Sequence, residues 1–352
     1  MRLESFIVIC IVLSVLQLMY YPAMQGIESI FNVKEIKTNI PLTNSSSRNP
    51  LPLNEVITNI KEHKEPNPPI IQSTIKKKKI AFAITITQDG PYFDGAAVLS
   101  YSVHHALNES LKYEADLIAF VDPGVVHRDG LRFLGYEVIE KELPVAVKDI
   151  EGDFMRGRIE KNGCCGAKEL LKLYAFTLMD YHRVVHLDMD FIIVRNFDEL
   201  FDEERQFLYT TDPNMMTGGS AAPPVQGGFL VIKPNMTTYQ RLVGLVREGD
   251  FRPGSGWKGA RIGHFWGGMT IQGLLAYYFK MEAQPEESRA VDRCVYNTMV
   301  DVPTCRAKEL SEVSSGHFTI CQKPWNCWKQ HKHKLCGELH MEWFRQRYEV
   351  LS

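Results

Sequence analysis

The pattern of apolar and polar positions changes period several times along the chain. From Ile80 to Ile86 the run IAFAITI is apolar almost throughout and is bounded by Lys79 and Gln88. A continuous run of that length predicts a strand buried on both faces of a parallel sheet. DLIAFV at 116–121, VVHL at 184–187 and GGFLVIK at 227–233 predict further strands. Between them the period lengthens. In AKELLKLYAFTLMDY at 167–181, Leu170, Leu171, Tyr174 and Leu178 share one face at helical spacing. MTTYQRLVGLVRE at 236–248 and MTIQGLLAYYF at 269–279 predict two more helices. Strands alternating with helices predict a layered α/β sheet, and such sheets bind ligands at the carboxyl ends of their strands.

The first 78 residues read differently. Phe6–Leu16 is apolar apart from Ser14, and after Gln17 the run continues to Tyr21. As a helix, Phe6 to Tyr21 would span about 24 Å. A bilayer core is about 30 Å thick, and Pro22-Ala23-Met24 could extend the segment towards it. Two readings stay open for residues 1–24: a cleaved signal peptide, or an uncleaved signal anchor with interfacial tyrosines. Either would send the rest of the chain into the secretory pathway, with Golgi residence as a single-pass type II protein expected for the anchor. Residues 25–78 contain NSSSRNPLP and HKEPNPP, have few large apolar residues and predict a flexible stem. Its closing run Lys76–Lys79 reads as the solvated end of that linker. The globular domain is expected to occupy 79–352.

Charge and cysteine usage narrow the partners. Lys+Arg 40 against Asp+Glu 42 leaves a net charge of −2, without the basic excess of a nucleic-acid binder. Seven cysteines lie outside the apolar N-terminus, at 164, 165, 294, 305, 321, 327 and 336. Disulfides are the default in an oxidising lumen, and the odd number leaves at least one thiol free or paired between chains. A homodimer is compatible with that. Cys321, Cys327 and Cys336 lie close in sequence to His331, His333 and His340, a collection with zinc-like chemistry but no standard zinc spacing. Asn44, Asn108 and Asn235 each open an Asn-x-Ser/Thr sequon.

The candidate chemistry is concentrated in HLDMDFIIVRNFDELF at 186–201. Asp188 and Asp190 follow a predicted strand directly, where a parallel sheet presents its ligand. Two carboxylates one residue apart can reach one hard divalent cation, Mn²⁺ or Mg²⁺, of the kind that bridges nucleotide phosphates. With 16 aspartates in 352 residues, a bare Asp-x-Asp pair is an expected accident. Its setting gives it weight: an apolar strand before it, FIIV after it, then the acidic FDELF.

In that setting the sequence resembles glycosyltransferase family 8, the glycogenin and galactinol synthase group, over roughly residues 80–328. AFAITITQDGPYFDGAAVLSYSV is similar to the family's first strand, nucleotide loop and first helix. Lys172 stands sixteen residues before Asp188, the family's spacing for a lysine near the donor. QGGFLVIKP resembles its Asn-Ser-Gly segment with the following strand. HFTICQKPW resembles its C-terminal His…Lys-Pro-Trp motif, with six residues from His317 to Lys323.

The resemblance implies a GT-A fold, a UDP-sugar donor, Mn²⁺ (or Mg²⁺) and transfer with retention of configuration. It implies Asp188, Asp190 and His317 as metal ligands and Lys323 as the catalytic cation at the donor diphosphate. Thr85, Thr87 and Tyr92 fall where the family contacts uracil and ribose, with one residue inserted before Tyr92. Lys172, Gln226 and Gly228 fall near the donor sugar, and Gln272 is expected to hydrogen-bond it. Two positions depart. Ile271 stands where glycogenin-like members carry an aspartate, so no double displacement can run through that residue. Ile320 stands where the family often has glycine, which puts a backbone contact to phosphate in question. The implied acceptor is a carbohydrate, a glycoprotein or an inositol lipid. A catalytically inactive member that binds a glycan or a partner in the lumen is the alternative.

Overall fold

The structure is a computed structural model that describes residues 76–326 and 332–351 of the 352-residue chain. The N-terminal apolar segment, nearly all of the stem, Asn44, Cys327 and His331 lie outside the described residues. Among the described residues no helix is long and apolar enough to cross a membrane.

Eleven strands are described: β1 Lys78–Ile86, β2 Tyr113–Val121, β3 Tyr136–Glu140, β4 Arg183–Leu187, β5 Phe191–Ile193, β6 Phe207–Thr211, β7 Val225–Ile232, β8 Phe251–Arg252, β9 Gly256–Trp257, β10 Ser288–Ala290 and β11 Ser315–His317. Seven form the main sheet in the order β10-β6-β7-β4-β1-β2-β3. β1 runs parallel to β2 and β4, and β2 runs parallel to β3. β7 is reversed, pairing antiparallel with β4 and with β6. The four long helices are α1 Tyr92–Leu107, α2 Met236–Glu248, α3 Ile271–Met281 and α4 Lys334–Leu351.

The apolar runs become strands because both faces of the sheet are covered. Along β1, Ala81 and Ala83 face one core, while Ile80, Phe82, Ile84 and Ile86 face the other. The small alanines let the helical layer of α2, α3 and residues 166–177 approach one face. The large residues fill the space under α1. Each buried Ile or Phe of this kind contributes about 1.5–3 kcal/mol over an exposed one. A third, smaller cluster lies between α1 and α4, with Phe318, Leu339 and Trp343 at its centre.

The predicted α2 span is reproduced to the residue. The Asn235 side-chain oxygen accepts from the Thr237 and Thr238 amides at 2.9 and 3.1 Å, and Gly249 ends the helix with φ 61°. Of the two described sequons, Asn108 is exposed and Asn235 is thus committed as a helix cap. The helix expected over 167–181 is different. Gly166–Thr177 winds as a 3-10 helix and Leu178 leaves helical geometry. Most of its residues are buried, Lys172 and Glu169 included, so packing and ion pairing set its winding more than propensity does. The zinc-like collection resolves otherwise: Cys321 is disulfide-bonded to Cys336, and Cys294 to Cys305. Cys164 and Cys165 are free and exposed.

Candidate active site

Two strand pairings assemble the site. β4 ends at Leu187, opposite Phe229 of the reversed β7, so Gln226–Gly228 lie beside the residues that follow β4. The Asp188 amide donates to the Gly228 carbonyl at 3.2 Å. β5 and β11 then pair antiparallel with His317 opposite Phe191, and the Phe318 amide donates to the Asp190 carbonyl at 2.9 Å. Residues more than 120 positions apart are thereby held at one point.

At that point His317 Nε2 is 3.4 Å from Asp190 Oδ2 and 3.9 Å from Asp188 Oδ2. One ligand atom from each of Asp188, Asp190 and His317 lies within 4.8 Å of the other two. Gly228 makes this possible. A Cβ there would stand 2.6 Å from His317 Cε1 and 2.9 Å from Asp188 Oδ2. Two carboxylates and an imidazole are a donor set suited to Mn²⁺ or a similar divalent cation.

Each of the three is oriented by a neighbour. Asn297, fully buried, accepts from His317 Nδ1 at 3.1 Å, which fixes the ring and turns Nε2 towards the carboxylates. Its amide nitrogen in turn donates to Thr210 Oγ1 at 2.6 Å. The Thr319 hydroxyl lies 2.9 Å from His317 Nε2. Lys323 pairs with Asp190. Burial pushes the Asp190 carboxyl up, but His317 and Lys323 outweigh it and hold the group well below the usual carboxylate range.

The two lysines expected near the donor occupy different depths. The Lys172 side chain is 6% exposed, and its ammonium meets Asp188 Oδ1 and Glu169 Oε2, each at 2.8 Å, and the Gly227 carbonyl at 3.2 Å. Burial opposes its charge, yet Asp188 and Glu169 keep it above the ordinary lysine range. Lys172 therefore buttresses Asp188 from below. Lys323 is 35% exposed and faces the open side. Gln322 before it adopts φ 62°, uncommon for a residue other than glycine, which turns the chain at that point. The turn is held by His340 Nε2, 2.8 Å from the Cys321 carbonyl, and by the Cys321–Cys336 disulfide to α4. The cysteines and histidine that look zinc-like in sequence anchor the strap that carries Lys323.

The remaining predicted residues line the same region. Thr85 Oγ1 is 2.8 Å from His186 Nε2, and burial followed by the Lys172 charge pushes His186 down to about 3, so that ring is neutral. The Thr87 carbonyl accepts from Lys168 at 3.1 Å. Tyr92 stands edge-on to Trp325, ring centres 6.1 Å apart, which joins the first helix to the Lys-Pro-Trp segment. Gln226 is buried, and its carbonyl accepts from the Gly228 amide at 2.6 Å and from Asn297 at 3.3 Å, so it braces the wall. Gln272 Oε1 is buried without a hydrogen-bond partner, and its Cγ lies by Gly227. Ile271 is fully buried and closes the floor at Gly227 with an apolar surface. Ile320 is exposed.

Sequence reasoning missed Asn297, Thr319 and Glu169. Asn297 sits in a stretch without periodicity, and nothing local marks it. Glu169 carried the only readable signal, an i,i+3 spacing to Lys172. Asp212, just beyond β6, is also buried, and burial pushes its carboxyl up against the pull of Arg293.

No family model matches the chain. Human glycogenin-1 is 28% identical over 172 residues, 49% of this chain and 45% of that protein. Mouse glycogenin-1 is 27% identical over 251 residues, 69% of this chain and 65% of that protein. A putative UDP-glucuronate:xylan alpha-glucuronosyltransferase 5 of Arabidopsis thaliana is 22% identical over 265 residues, 74% of this chain and 38% of that protein. The chain is thus similar to glycosyltransferases of the family 8 type. It spans less than two thirds of the length of each of these relatives. Among solved structures, the galactosyltransferase LgtC in complex with donor and acceptor sugar analogs aligns with a TM-score of 0.46 at 13% identity, over 78% of this chain and 96% of that one.

Proposed function

We propose that this family-8-like chain is a retaining hexosyltransferase that moves a sugar from a UDP-sugar to a hydroxyl acceptor at a divalent cation, Mn²⁺ or Mg²⁺. The observation that carries the reading is the convergence of Asp188, Asp190 and His317 at the carboxyl end of β4, with Gly228 leaving the space between them open. The mostly parallel sheet with one reversed interior strand is read as a GT-A fold, with the catalytic domain starting at about residue 79.

Asp188, Asp190 and His317 would hold the cation, with Lys172 holding the Asp188 carboxylate in place and Asn297 keeping the imidazole lone pair turned inward. Bound there, a divalent cation supplies positive charge to the donor diphosphate. Lys323 leaves Asp190 for the diphosphate and meets the charge that builds on the leaving oxygen. Gln272 offers its unpartnered carbonyl to a donor hydroxyl. Thr85, Thr87 and Tyr92 cradle the uridine, and Gln226 and Gly228 shape the wall beside the sugar. The bond from C1 to the phosphate oxygen breaks as the acceptor oxygen attacks C1 from the same face. The acceptor proton passes to the departing phosphate oxygen. Since positioning and charge do this work, a hydrophobic Ile271 is tolerated.

Two disulfides among the described residues favour an oxidising compartment. With the apolar N-terminus they support a Golgi-membrane protein whose catalytic domain faces the lumen. The direct test is UDP-sugar turnover by the full chain across UDP-glucose, UDP-galactose, UDP-glucuronic acid and UDP-N-acetylglucosamine, with and without Mn²⁺. Turnover that survives EDTA would remove the cation from the proposal, and a chain inert towards every donor would leave the inactive-member reading standing.

A further inference from the structure

A second concavity opens beside the site, a cleft of about 450 Å³ bordered by the loop that leads into α3. Its walls include Phe154, Phe265 and Trp266, with Asn162, Thr217 and His264 supplying polar atoms. Among the described residues that line it there is no Asp, Glu, Lys or Arg. Trp266 is 61% exposed, an unusual state for the side chain with the largest apolar surface.

That exposure belongs to an ordered loop. Trp257 Nε1 donates to the Gly268 carbonyl at 2.8 Å, the Gly268 amide donates to the Phe265 carbonyl at 3.0 Å, and the Met269 amide donates to Asn162 Oδ1 at 2.9 Å. Thr217 Oγ1 donates to the His264 carbonyl at 2.7 Å from the other side. A Cβ on Gly268 would stand 1.7 Å from the Gly263 carbonyl oxygen, so the loop closes on itself through glycine backbones. The indole is thus held out by a rigid support, which lowers the ordering cost of binding.

The loop also touches the donor region. A Cβ on Gly267, next to Trp266, would lie 3.9 Å from Gln272 Nε2. A Cβ on Gly227 would lie 3.2 Å from Gln272 Cγ and 3.7 Å from Lys172 Nζ. Gly267, Gln272, Gly227 and Lys172, whose ammonium meets Asp188, therefore form one connected line from the loop that carries Trp266 to the metal-ligand cluster. A platform that is flat, apolar and uncharged, with hydrogen-bonding groups at its rim, matches a pyranose. Such a ring offers C–H groups on its faces and hydroxyls around its edge.

We infer that the Trp266 cleft binds the acceptor as a neutral saccharide, with one pyranose ring stacked on the indole and its attacking hydroxyl directed towards Gln272. This rests on the transferase reading for its placement beside the donor, and it narrows the acceptor from glycans, glycoproteins and inositol lipids to an uncharged sugar chain. The test needs no donor. Saturation-transfer NMR on the full chain would use maltotriose, xylotriose and chitotriose as probes, with trigalacturonate as the charged comparator. At least one neutral triose should give signals from its ring protons, Trp266→Ala should weaken that affinity about tenfold, and Trp266→Phe should restore part of it. Silence from all three neutral trioses, undiminished signals with Trp266→Ala, or tighter binding of trigalacturonate than of every neutral probe would overturn the inference. Failure of the transferase reading shows separately, as wild-type protein that hydrolyses no UDP-sugar.

Discussion

The candidate active site and the Trp266 cleft solve opposite binding problems. On one side, Asp188, Asp190, His317, Lys172 and Lys323 are charged or titratable groups, each held by another. On the other, Phe265 and Trp266 present apolar surface in a cleft lined, among the described residues, by no Asp, Glu, Lys or Arg, with Arg158 set over the Phe154 ring at 4.2 Å from its centre. The first side is built for charge that changes during a reaction, because paired ions can exchange partners with a diphosphate without being left alone in low dielectric. The second is built for shape, because an uncharged ring gains from contact area and little from field. Errors should therefore act differently on the two sides. Loss of one ion exposes its partner, whereas loss of aromatic area weakens binding in proportion to the area removed.

The largest effect should come from Asp190→Ala. It removes a proposed cation ligand and strands both His317 and Lys323, so Mn²⁺-dependent UDP-sugar turnover should fall below detection while the thermal unfolding transition persists. Wild-type turnover in this variant would break the ionic half of the comparison. Lys323→Ala comes next, with kcat lower by about 10² to 10³ and donor KM changed far less, because its contact strengthens as the leaving group gains charge. Lys323→Arg should recover only part of the rate. If KM rises steeply at constant kcat, Lys323 binds the donor uniformly and is not catalytic.

Asn297→Ala should cost about 10- to 100-fold in Mn²⁺ affinity, the usual range for a residue that orients a metal-bound histidine. Asn297→Asp keeps an acceptor for His317 Nδ1 and should restore most of that affinity, which a merely structural asparagine would not do. Calorimetric titration of Mn²⁺ distinguishes the two outcomes. Smallest of all, Trp266→Phe should raise the acceptor KM about threefold, since a ring remains to stack. An effect as large as that of Lys323→Ala would mean that the neutral wall does more than bind.

Much of the sheet is legible in the sequence because β1, β2, β4 and β7 are buried on both faces and need continuous apolar runs. α2 is legible to its ends because Asn235 and Gly249 carry local stop signals. β10 and β11, three residues each, are not, since they are defined by the strands they meet. The site divides the same way. Asp188, Asp190, His317 and Lys323 are readable through motifs, whereas the burial of Lys172 and the bracing role of Gln226 appear only once their neighbours are known.

By itself the sequence determined the alternation of strands and helices, a composition without basic excess, and the placement of two carboxylates at a strand end. These follow from residue type and short spacing, which act within a few positions along the chain. The tertiary structure alone decided which cysteines pair, that Asn297 turns His317, and that Gly228 is the residue whose missing side chain leaves room between the ligands. It also decided that Trp266 stands exposed and that Gly267, the next residue, lies by Gln272. The Gly228 and Asn297–His317 contacts depend on the reversed β7 and on the β5–β11 pairing, which join segments far apart in sequence. Their energy comes from burial and hydrogen bonding across the whole domain, and no local pattern encodes it.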